Sequence, residues 1–200
     1  MNQTIASDVA KQHLGFPADR SLLFVMGGSQ GAEPINRHLA KNIRWYHSRE
    51  RLSLLWQCGE GNLEPYIDYG TTDGRVQVRG FIYEMGMAYS ASDIIVARAG
   101  ALTLSELAIV GKPAILIPLP TAAANHQYYN AMDFANNGAA EVIEQDELAS
   151  GVLEQTIQRL LEEDDTRTTM AEKAIAHARP QATEKIVESI YALAGYELDV

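Results

Sequence analysis

Short apolar runs alternate with amphipathic stretches along most of the chain. The apolar runs, each long enough for one buried strand, lie at residues 21–26, 52–57, 75–79, 93–97, 114–119 and 140–143. Between them apolar positions recur every three or four residues, as in Ile35, Leu39 and Ile43, the spacing of one helix face. Strands joined by helices of this length need right-handed crossovers. The pattern therefore predicts an α/β fold with a doubly wound, mostly parallel, Rossmann-like sheet.

Prolines and glycines mark the expected helix boundaries. Pro34 lies in the first turn of a helix that begins near Ala32, where a missing N–H is tolerated. Gly111 and the proline two residues later end another helix. The predicted helices within this part of the chain start near residue 32 and span 84–91, 102–110 and about 125 to 137.

From residue 146 onward the pattern is helical. Apolar positions between residues 148 and 161 mark one amphipathic helix. Pro180 opens a final helix, in which Ile186, Ile190 and Leu193 share a face. We therefore predict a single domain over residues 1–200, with a strand-rich core at about 20–145 and a helical C-terminal part at about 146–195.

Composition narrows the classes of function. Hydrophobic residues make up 46 % of the 200 residues, enough for a packed core. The formal net charge of −10 argues against a nucleic-acid partner. It leaves room for a phosphate site, because backbone N–H groups at a helix start bind anions without a cationic side chain.

The cysteine content and the N-terminal sequence limit the possible metal sites and indicate the compartment. Cys58 is the one cysteine, so the chain holds neither a disulfide nor a cysteine-based metal site. It follows an apolar run, and we interpret it as a buried thiol at a strand end. The N-terminus lacks a basic region followed by an apolar stretch, and no run approaches the roughly 18 apolar residues of a membrane span. We expect a cytoplasmic protein.

The first candidate loop follows the run at residues 21–26. Gly27, Gly28 and Gly31 allow a sharp turn and a close approach of the backbone to a ligand. We expect the N–H groups of Ser29, Gln30 and Gly31 to point into a cleft where the next helix begins, with the Ser29 hydroxyl as a further donor. The alternative is a tight strand–helix turn that binds nothing.

The second candidate loop follows the run at residues 93–97. Gly100 is expected to permit the turn, and Ala101, Leu102 and Thr103 open the helix. Thr103 offers a hydroxyl and an N–H to a phosphate, and Glu106, three residues on, suits two vicinal ribose hydroxyls. The alternative is an ordinary capping pair between Thr103 and Glu106.

A third loop follows the run at residues 114–119 and is rich in amides. Asn125, His126, Gln127 and Asn130 gather neutral polar groups that suit a sugar. The alternative for His126 is a helix cap without a catalytic task. Because the carboxyl ends of parallel strands meet at one sheet edge, the three loops together indicate a nucleoside diphosphate joined to a sugar.

Several stretches of the sequence resemble those of a known family. The matching stretches are MGGSQGA (26–32), GFI (80–82), RAGALTLSE (98–106), GKPAILIPLP (111–120), NHQYYNA (125–131) and GAAEVIEQ (138–145). In this order they resemble the C-terminal domain of the MurG family of N-acetylglucosaminyltransferases, in glycosyltransferase family 28. The resemblance implies one half of a GT-B fold, in which two Rossmann-like halves face each other across a cleft.

The resemblance implies a set of donor-binding residues for UDP-N-acetylglucosamine. They are Ser29, Gln30, Ile82, Ala101, Leu102, Thr103, Leu104, Ser105, Glu106 and Gln127, with Gly27, Gly28, Gly31, Gly100, Asn125, His126 and Asn130 as supporting loop residues. Ser29 and Gln30 would meet the diphosphate, and the backbone of Ile82 would recognise uracil. Glu106 would bind the ribose hydroxyls, and Gln127 would hold sugar hydroxyls.

The resemblance also implies an activity and its limits. Family members invert the anomeric centre and convert lipid I to lipid II in peptidoglycan synthesis, at the cytoplasmic face of the inner membrane, without a metal or other cofactor in the site. The N-terminal half that binds the lipid-linked acceptor is not visible in this sequence. We therefore expect a truncated or split protein, with the general base in the other half and no catalytic residue assigned here.

Two other functions fit the same residues. The chain is alternatively the catalytic subunit of a split glycosyltransferase, working with a separate acceptor-binding membrane partner. It is alternatively a binding module that kept the nucleotide-sugar site without transfer. A neighbouring reading frame that encodes a glycine-rich N-terminal half would separate these two.

Overall fold

The computed structural model describes residues 5–194, in which strands and helices alternate. The strands are β1 (Ser21–Met26), β2 (Leu52–Gln57), β3 (Val76–Arg79), β4 (Ile94–Ala97), β5 (Ala114–Leu116) and β6 (Ala140–Val142). The helices are α1 (Ser7–His13), α2 (Glu33–His47), α3 (Met85–Ala91), α4 (Ala101–Val110), α5 (His126–Asn136), α6 (Val152–Glu162), α7 (Asp164–Ala176) and α8 (Ala182–Leu193). Short 3₁₀ turns lie at Glu60–Asn62, Ile67–Tyr69, Ala123–Asn125 and Gln145–Ser150.

The six strands form one all-parallel sheet in the order β3-β2-β1-β4-β5-β6. The predicted doubly wound α/β fold is confirmed. Met26 of β1 pairs with Gln57 of β2 and Ala97 of β4, so these three strands end at one level. The loops that follow them therefore start side by side along the carboxyl edge of the sheet.

The core has two halves, one on each face of the sheet. Alternate residues of β1 divide between them, with Phe24 in one cluster and Leu23 and Val25 in the other. Helices α1, α3, α4 and α5 cover the first face, and α2 and α6 cover the second. Burial on both faces explains why the strands read as continuous apolar runs instead of alternating ones.

Helix α2, whose start lies at the carboxyl edge, is held from beneath by buried polar contacts. Asn36 donates to the Cys58 carbonyl at 2.8 Å and accepts from the Trp56 indole N–H at 2.9 Å. Further along α2, His38 lies 2.7 Å from the Glu154 carboxylate of α6. Burial raises the pKa of Glu154, but the contact with His38 together with hydrogen bonds from the backbone and from the Tyr46 hydroxyl lowers that pKa overall. These contacts fix the direction in which α2 leaves the loop.

Two predicted segments differ from the structure. The strand expected at residues 114–119 ends at Leu116, because Pro118 has no N–H and the Arg98 guanidinium occupies the Ile117 and Pro118 carbonyls, at 3.1 and 2.9 Å. The helix expected from residue 148 begins at Val152, after a 3₁₀ turn that ends at Gly151 in a left-handed conformation.

Two helices were not predicted. Helix α1 packs on α3, and its Lys11 forms a 2.7 Å ion pair with Asp93. Helix α7 packs on α4. The last helix falls close to the predicted place, and its Ile186, Ile190 and Leu193 are exposed. Residues 1–4, and residues 195–200 with the predicted end of the helical part, lie outside the described residues.

Within residues 5–194, none of the helices combines the length and the apolar character needed to cross a membrane.

Candidate functional site

A cavity of about 590 Å³ opens at the carboxyl edge of the sheet, between the loops that follow β1 and β4. We call it the cleft. It is lined by Gly27, Gly28, Gly31, Ala32, Glu33, Pro34, Arg98, Gly100, Thr103, Leu119, Pro120, Thr121, Gln127 and Gln145. The strand order reverses between β1 and β4, and ligands of open α/β sheets bind at such switch points.

Glycine shapes the first loop at two positions with different neighbours. Gly31 has φ +76°, and a Cβ there would lie 1.9 Å from the Cys58 carbonyl oxygen. Gly28 has φ +86°, and a Cβ there would meet nothing within 4 Å. Gly31 therefore allows the loop to pack on the end of β2, whereas Gly28 leaves its side of the cleft open for a ligand.

The N–H groups of this loop are not all available, which corrects one expectation. The Gly31 N–H donates to the Gly28 carbonyl at 3.0 Å, so it is used within the turn and does not point at a ligand. Ser29 and Gln30 lie exposed at the tip of the loop, beside the residues that line the cleft. The Gln30 carbonyl accepts from the Asn62 amide at 2.8 Å, which ties the tip to the turn after β2.

Helix α2 presents its N-terminus to the cleft. Ala32 is the N-cap, and Glu33 and Pro34 of the first turn line the cavity. The Glu33 carboxylate is held by Arg37 at 2.7 Å and by the Tyr66 hydroxyl at 3.0 Å. The partial positive charge of the helix end therefore faces the cleft while the nearby carboxylate is neutralised by its own partners.

Helix α4 presents the second N-terminus. Gly100 is the N-cap, and no side chain caps the helix, so the alternative of a Thr103–Glu106 capping pair is wrong. Thr103 lines the cleft. Gly100 was expected to permit the turn, but its φ is −69°, a value any residue adopts, so the backbone of this turn does not depend on glycine. A Cβ at Gly100 would meet only the Thr103 hydroxyl, at 3.9 Å, so its small size keeps the cleft open.

Other residues implied on α4 are spread around the helix. Ala101 and Leu102 are exposed at its start, and the Ser105 hydroxyl donates to the Ala101 carbonyl at 3.0 Å. Leu104 is buried in the core, and its N–H donates to the Gly100 carbonyl at 3.0 Å. The unused N–H groups of α4 are therefore those of its first turn, before Leu104.

Glu106 has a partner that the sequence did not reveal. Its carboxylate accepts a 2.7 Å hydrogen bond from the hydroxyl of Tyr89, a buried residue of α3. Burial, and then the hydrogen bond to Glu106, raise the pKa of Tyr89, so the phenol stays a donor. One oxygen of an exposed carboxylate is thereby fixed, and no hydrogen bond from residues 5–194 occupies the other, which can accept from a ligand.

Arg98 supplies the positive charge of the cleft. Its guanidinium donates to the carbonyls of Ile117 and Pro118 and, at 2.6 Å, to the Gln145 side chain. Burial lowers the pKa of Arg98, yet a guanidinium stays charged in proteins. Within residues 5–194 these partners are all uncharged oxygens, so the charge is not neutralised by the protein itself. A buried cation beside two helix N-termini favours an anion.

The amide-rich loop divides between two cavities. Gln127 lines the cleft, and its side-chain oxygen accepts from the Leu119 N–H at 3.1 Å, which leaves its NH₂ group for a ligand. Asn130 donates to the Ala99 carbonyl at 3.3 Å and joins α5 to the second loop. Asn125 lines a neighbouring cavity of about 460 Å³ instead.

His126 is the first residue of α5 and is exposed. Its ring lies 2.9 Å from the Ala123 carbonyl, one turn back, and it is not among the residues that line either cavity. The N-cap is Asn125, in a left-handed conformation with φ 54°. His126 therefore stabilises the turn before α5 without being the cap itself.

Ile82 lies in the turn after β3 and is buried. Its N–H donates to the side-chain oxygen of Gln57 at 3.0 Å. Within the described part of the chain, the backbone carbonyl of Ile82 is the group of this residue that has no hydrogen-bond partner. The sequence resemblance implied a role for the backbone of Ile82 but did not identify Gln57 as its partner.

The structure brings the candidate loops together along one edge in the order of the strands. The segment with Ile82 follows β3, the glycine loop follows β1, the Arg98 loop follows β4, and the segment with Gln127 follows β5. Four interstrand gaps of ~4.8 Å span ~19 Å. Among residues 5–194, no group of three or more histidine, cysteine, aspartate or glutamate side chains is arranged to hold a metal ion.

Comparison with known proteins places this geometry in context. The sequence model of the glycosyltransferase family 28 C-terminal domain matches residues 22–186. A UDP-N-acetylglucosamine–N-acetylmuramyl-(pentapeptide) pyrophosphoryl-undecaprenol N-acetylglucosamine transferase from Cytophaga hutchinsonii is 37% identical over 187 residues, covering 94% of this chain and 50% of that protein. The protein of the same description from Desulforamulus reducens is 36% identical, covering 86% of this chain and 48% of its own length.

Solved structures agree with the sequence comparison. The crystal structure of Acinetobacter baumannii MurG superimposes with a TM-score of 0.76 at 34% identity, covering 92% of this chain and 53% of that one. WaaG, a glycosyltransferase involved in lipopolysaccharide biosynthesis, has a TM-score of 0.60 at 18% identity, which is a likeness of fold. The chain spans about half the length of the curated relatives it matches.

Proposed function

The chain belongs to the family of glycosyltransferase family 28 C-terminal domains, and from that premise we propose that it binds UDP-N-acetylglucosamine as the donor half of an inverting N-acetylglucosaminyltransferase. The observation that carries the proposal is the cleft between β1 and β4, where two helix N-termini and the unneutralised Arg98 guanidinium converge. Backbone N–H groups and a helix dipole bind a diphosphate without requiring a metal ion, and we propose a metal-free site.

Each part of the donor has a proposed partner along the sheet edge. Uracil meets the backbone carbonyl of Ile82, and the ribose hydroxyls meet the free oxygen of Glu106. The diphosphate lies between the starts of α2 and α4, with the exposed Ser29 and Gln30 over it. The sugar lies against Gln127. The partners of base, diphosphate and sugar follow one another along β3, β1 with β4, and β5, the order in which an extended nucleotide sugar presents these groups, and Glu106 reaches the ribose from α4.

The proposed contribution to chemistry is stabilisation of the leaving group. When the bond between sugar and diphosphate breaks, negative charge grows on the departing UDP. Arg98 and the start of α4 are already oriented toward the cleft, so they stabilise that charge without reorganising. We assign no general base among the residues of this chain.

We propose that the acceptor is bound outside this chain. The relatives' names describe transfer to N-acetylmuramyl-(pentapeptide) pyrophosphoryl-undecaprenol. We propose that this lipid-linked acceptor is bound by a second half, since the relatives are about twice as long as this chain, and that the reaction converts lipid I to lipid II at the cytoplasmic face of the membrane. A separate acceptor subunit and a binding module without transfer are the two alternatives, and no contact in the structure favours either.

Gln127 provides a test, because its proposed partner is the sugar alone. Gln127→Met should lower the affinity for UDP-N-acetylglucosamine by about 2- to 12-fold, the range for one neutral hydrogen bond, and leave the affinity for UDP unchanged. Isothermal titration calorimetry with both ligands measures the difference.

The neighbouring His126→Ala variant is the matched control. His126 is exposed on the same helical turn and does not line the cleft, so both affinities should stay at the wild-type values. If Gln127→Met weakened UDP as much as UDP-N-acetylglucosamine, Gln127 would not contact the sugar and the donor would lie differently in the cleft.

A further inference from the structure

Gln57, the last residue of β2, joins two loops of the site. Its side-chain NH₂ donates to the Gly28 carbonyl at 3.1 Å, and its side-chain oxygen accepts from the Ile82 N–H at 3.0 Å. Register places Gln57 beside Met26 of β1 and Arg79 of β3. Each neighbouring strand leads into one of the two bonded loops within three residues. A single carboxamide therefore bridges the glycine loop and the segment of Ile82.

The bridge has one possible orientation. Gly28 offers a carbonyl, which only accepts, and Ile82 offers an N–H, which only donates. Turning the amide over would place oxygen against oxygen and NH₂ against N–H. Gln57 is also 3% exposed, so water cannot replace either partner at little cost.

The Gly28 carbonyl at one end of the bridge accepts two hydrogen bonds. The Gly28 carbonyl accepts both the Gln57 side chain at 3.1 Å and the Gly31 N–H at 3.0 Å. A carbonyl oxygen has two lone pairs, so both are used. The position of Gly28, which lines the cleft, is thereby set by one contact within its own loop and one that reaches across β2.

We propose that Gln57 is a positioning residue that fixes the separation between the base-binding and diphosphate-binding parts of the site. The inference rests on the proposed function, since it takes Ile82 to meet the base and the glycine loop to border the diphosphate. Gln57 contacts neither ligand part. It determines how well the two parts are bound by one molecule at the same time, as a linker determines effective concentration between two binding sites.

The test compares ligands that use one part or both. Gln57→Met keeps a similar volume and removes both hydrogen bonds. UDP affinity should fall about tenfold, while the affinity for inorganic pyrophosphate, which needs the diphosphate part alone, should change less than about twofold. Hydrogen exchange of the Ile82 amide should accelerate at least about tenfold, because its acceptor is gone.

Gln77→Met is the matched control. Gln77 also donates its amide to backbone carbonyls, those of Leu14 at 3.1 Å, Gly74 at 3.4 Å and Gly15 at 3.5 Å, and its side-chain oxygen accepts from Arg79. None of these partners lies in either candidate loop. In the Gln77→Met variant, UDP affinity should stay at the wild-type value, and hydrogen exchange of the Ile82 amide should stay as slow as in the wild type. Gln57→Glu is a second variant, nearly identical in shape, that keeps an oxygen for the Ile82 N–H and should keep its exchange slow.

The outcomes separate this inference from the proposed function. If wild-type protein bound no UDP, the proposed function would fail, and the Ile82 exchange would still decide whether the bridge exists. If wild-type bound UDP and folded Gln57→Met bound it equally well, the inference alone would be overturned. Equal losses of UDP and pyrophosphate affinity, or unchanged Ile82 exchange in Gln57→Met, would overturn it as well.

Discussion

Gly31→Ala should destabilise the protein by about 3 kcal/mol or more. A left-handed conformation costs a residue with a Cβ about 1–2 kcal/mol. The new Cβ would also lie 1.9 Å from the Cys58 carbonyl oxygen, which cannot move freely because it accepts from the buried Asn36 side chain at 2.8 Å. Chemical denaturation of the variant and the wild type measures the difference in the free energy of unfolding.

Gly28→Ala separates the two causes. Gly28 has φ +86° but open space around it, so its variant should show only the conformational cost of about 1–2 kcal/mol. Gly61→Ala, where a Cβ meets nothing within 4 Å, is the baseline. Equal destabilisation by Gly31→Ala and Gly28→Ala would mean that packing of the glycine loop on the end of β2 does not constrain the loop.

Glu106→Ala should lower UDP affinity by about 1–3 kcal/mol, which is roughly 5- to 150-fold. The free oxygen of the carboxylate is the proposed partner of the ribose hydroxyls, and the Tyr89 contact at 2.7 Å holds the other oxygen in place. The measurement is calorimetric, with UDP and 2′-deoxy-UDP. Wild-type protein should prefer UDP, and the preference should disappear in the variant.

Glu33→Ala is the control for charge. Glu33, unlike Glu106, is among the residues that line the cleft, and Arg37 and Tyr66 hold its carboxylate. Removing a negative charge near a diphosphate should leave UDP affinity equal or higher. If Glu106→Ala kept wild-type UDP affinity and the preference over 2′-deoxy-UDP, Glu106 would have no part in ribose binding.

Much of the fold follows from local patterns. The runs SLLFVM and LSLLWQ became β1 and β2 with the predicted bounds, because a strand buried on both faces needs uninterrupted apolar residues. Helix α7 was missed for the opposite reason. Met170 and Ala174 are its buried residues, too few for a visible apolar stripe. Helix α1 was missed because it has only 7 residues, and its docking involves the Lys11–Asp93 ion pair, which joins residues far apart in sequence.

The candidate site was likewise predictable only in part. Loops rich in glycine after apolar runs were recognisable, because small residues at strand ends are a local signal. Arg98, Tyr89 and Gln57 were not identified from the sequence. Each acts through partners that only the folded chain brings near: Arg98 through Gln145, Tyr89 through Glu106, and Gln57 through Gly28 and Ile82. Arg98 stood within a matched motif, which is the one signal that pointed toward it.

Titration of the 200-residue chain with UDP-N-acetylglucosamine, UDP-glucose and UDP by isothermal titration calorimetry tests donor binding most directly. We expect saturable binding of UDP-N-acetylglucosamine at one site per chain, weaker binding of UDP-glucose, and binding of UDP that retains most of the affinity. The absence of detectable heat for all three ligands up to millimolar concentration, with folded protein, would contradict the donor-binding function.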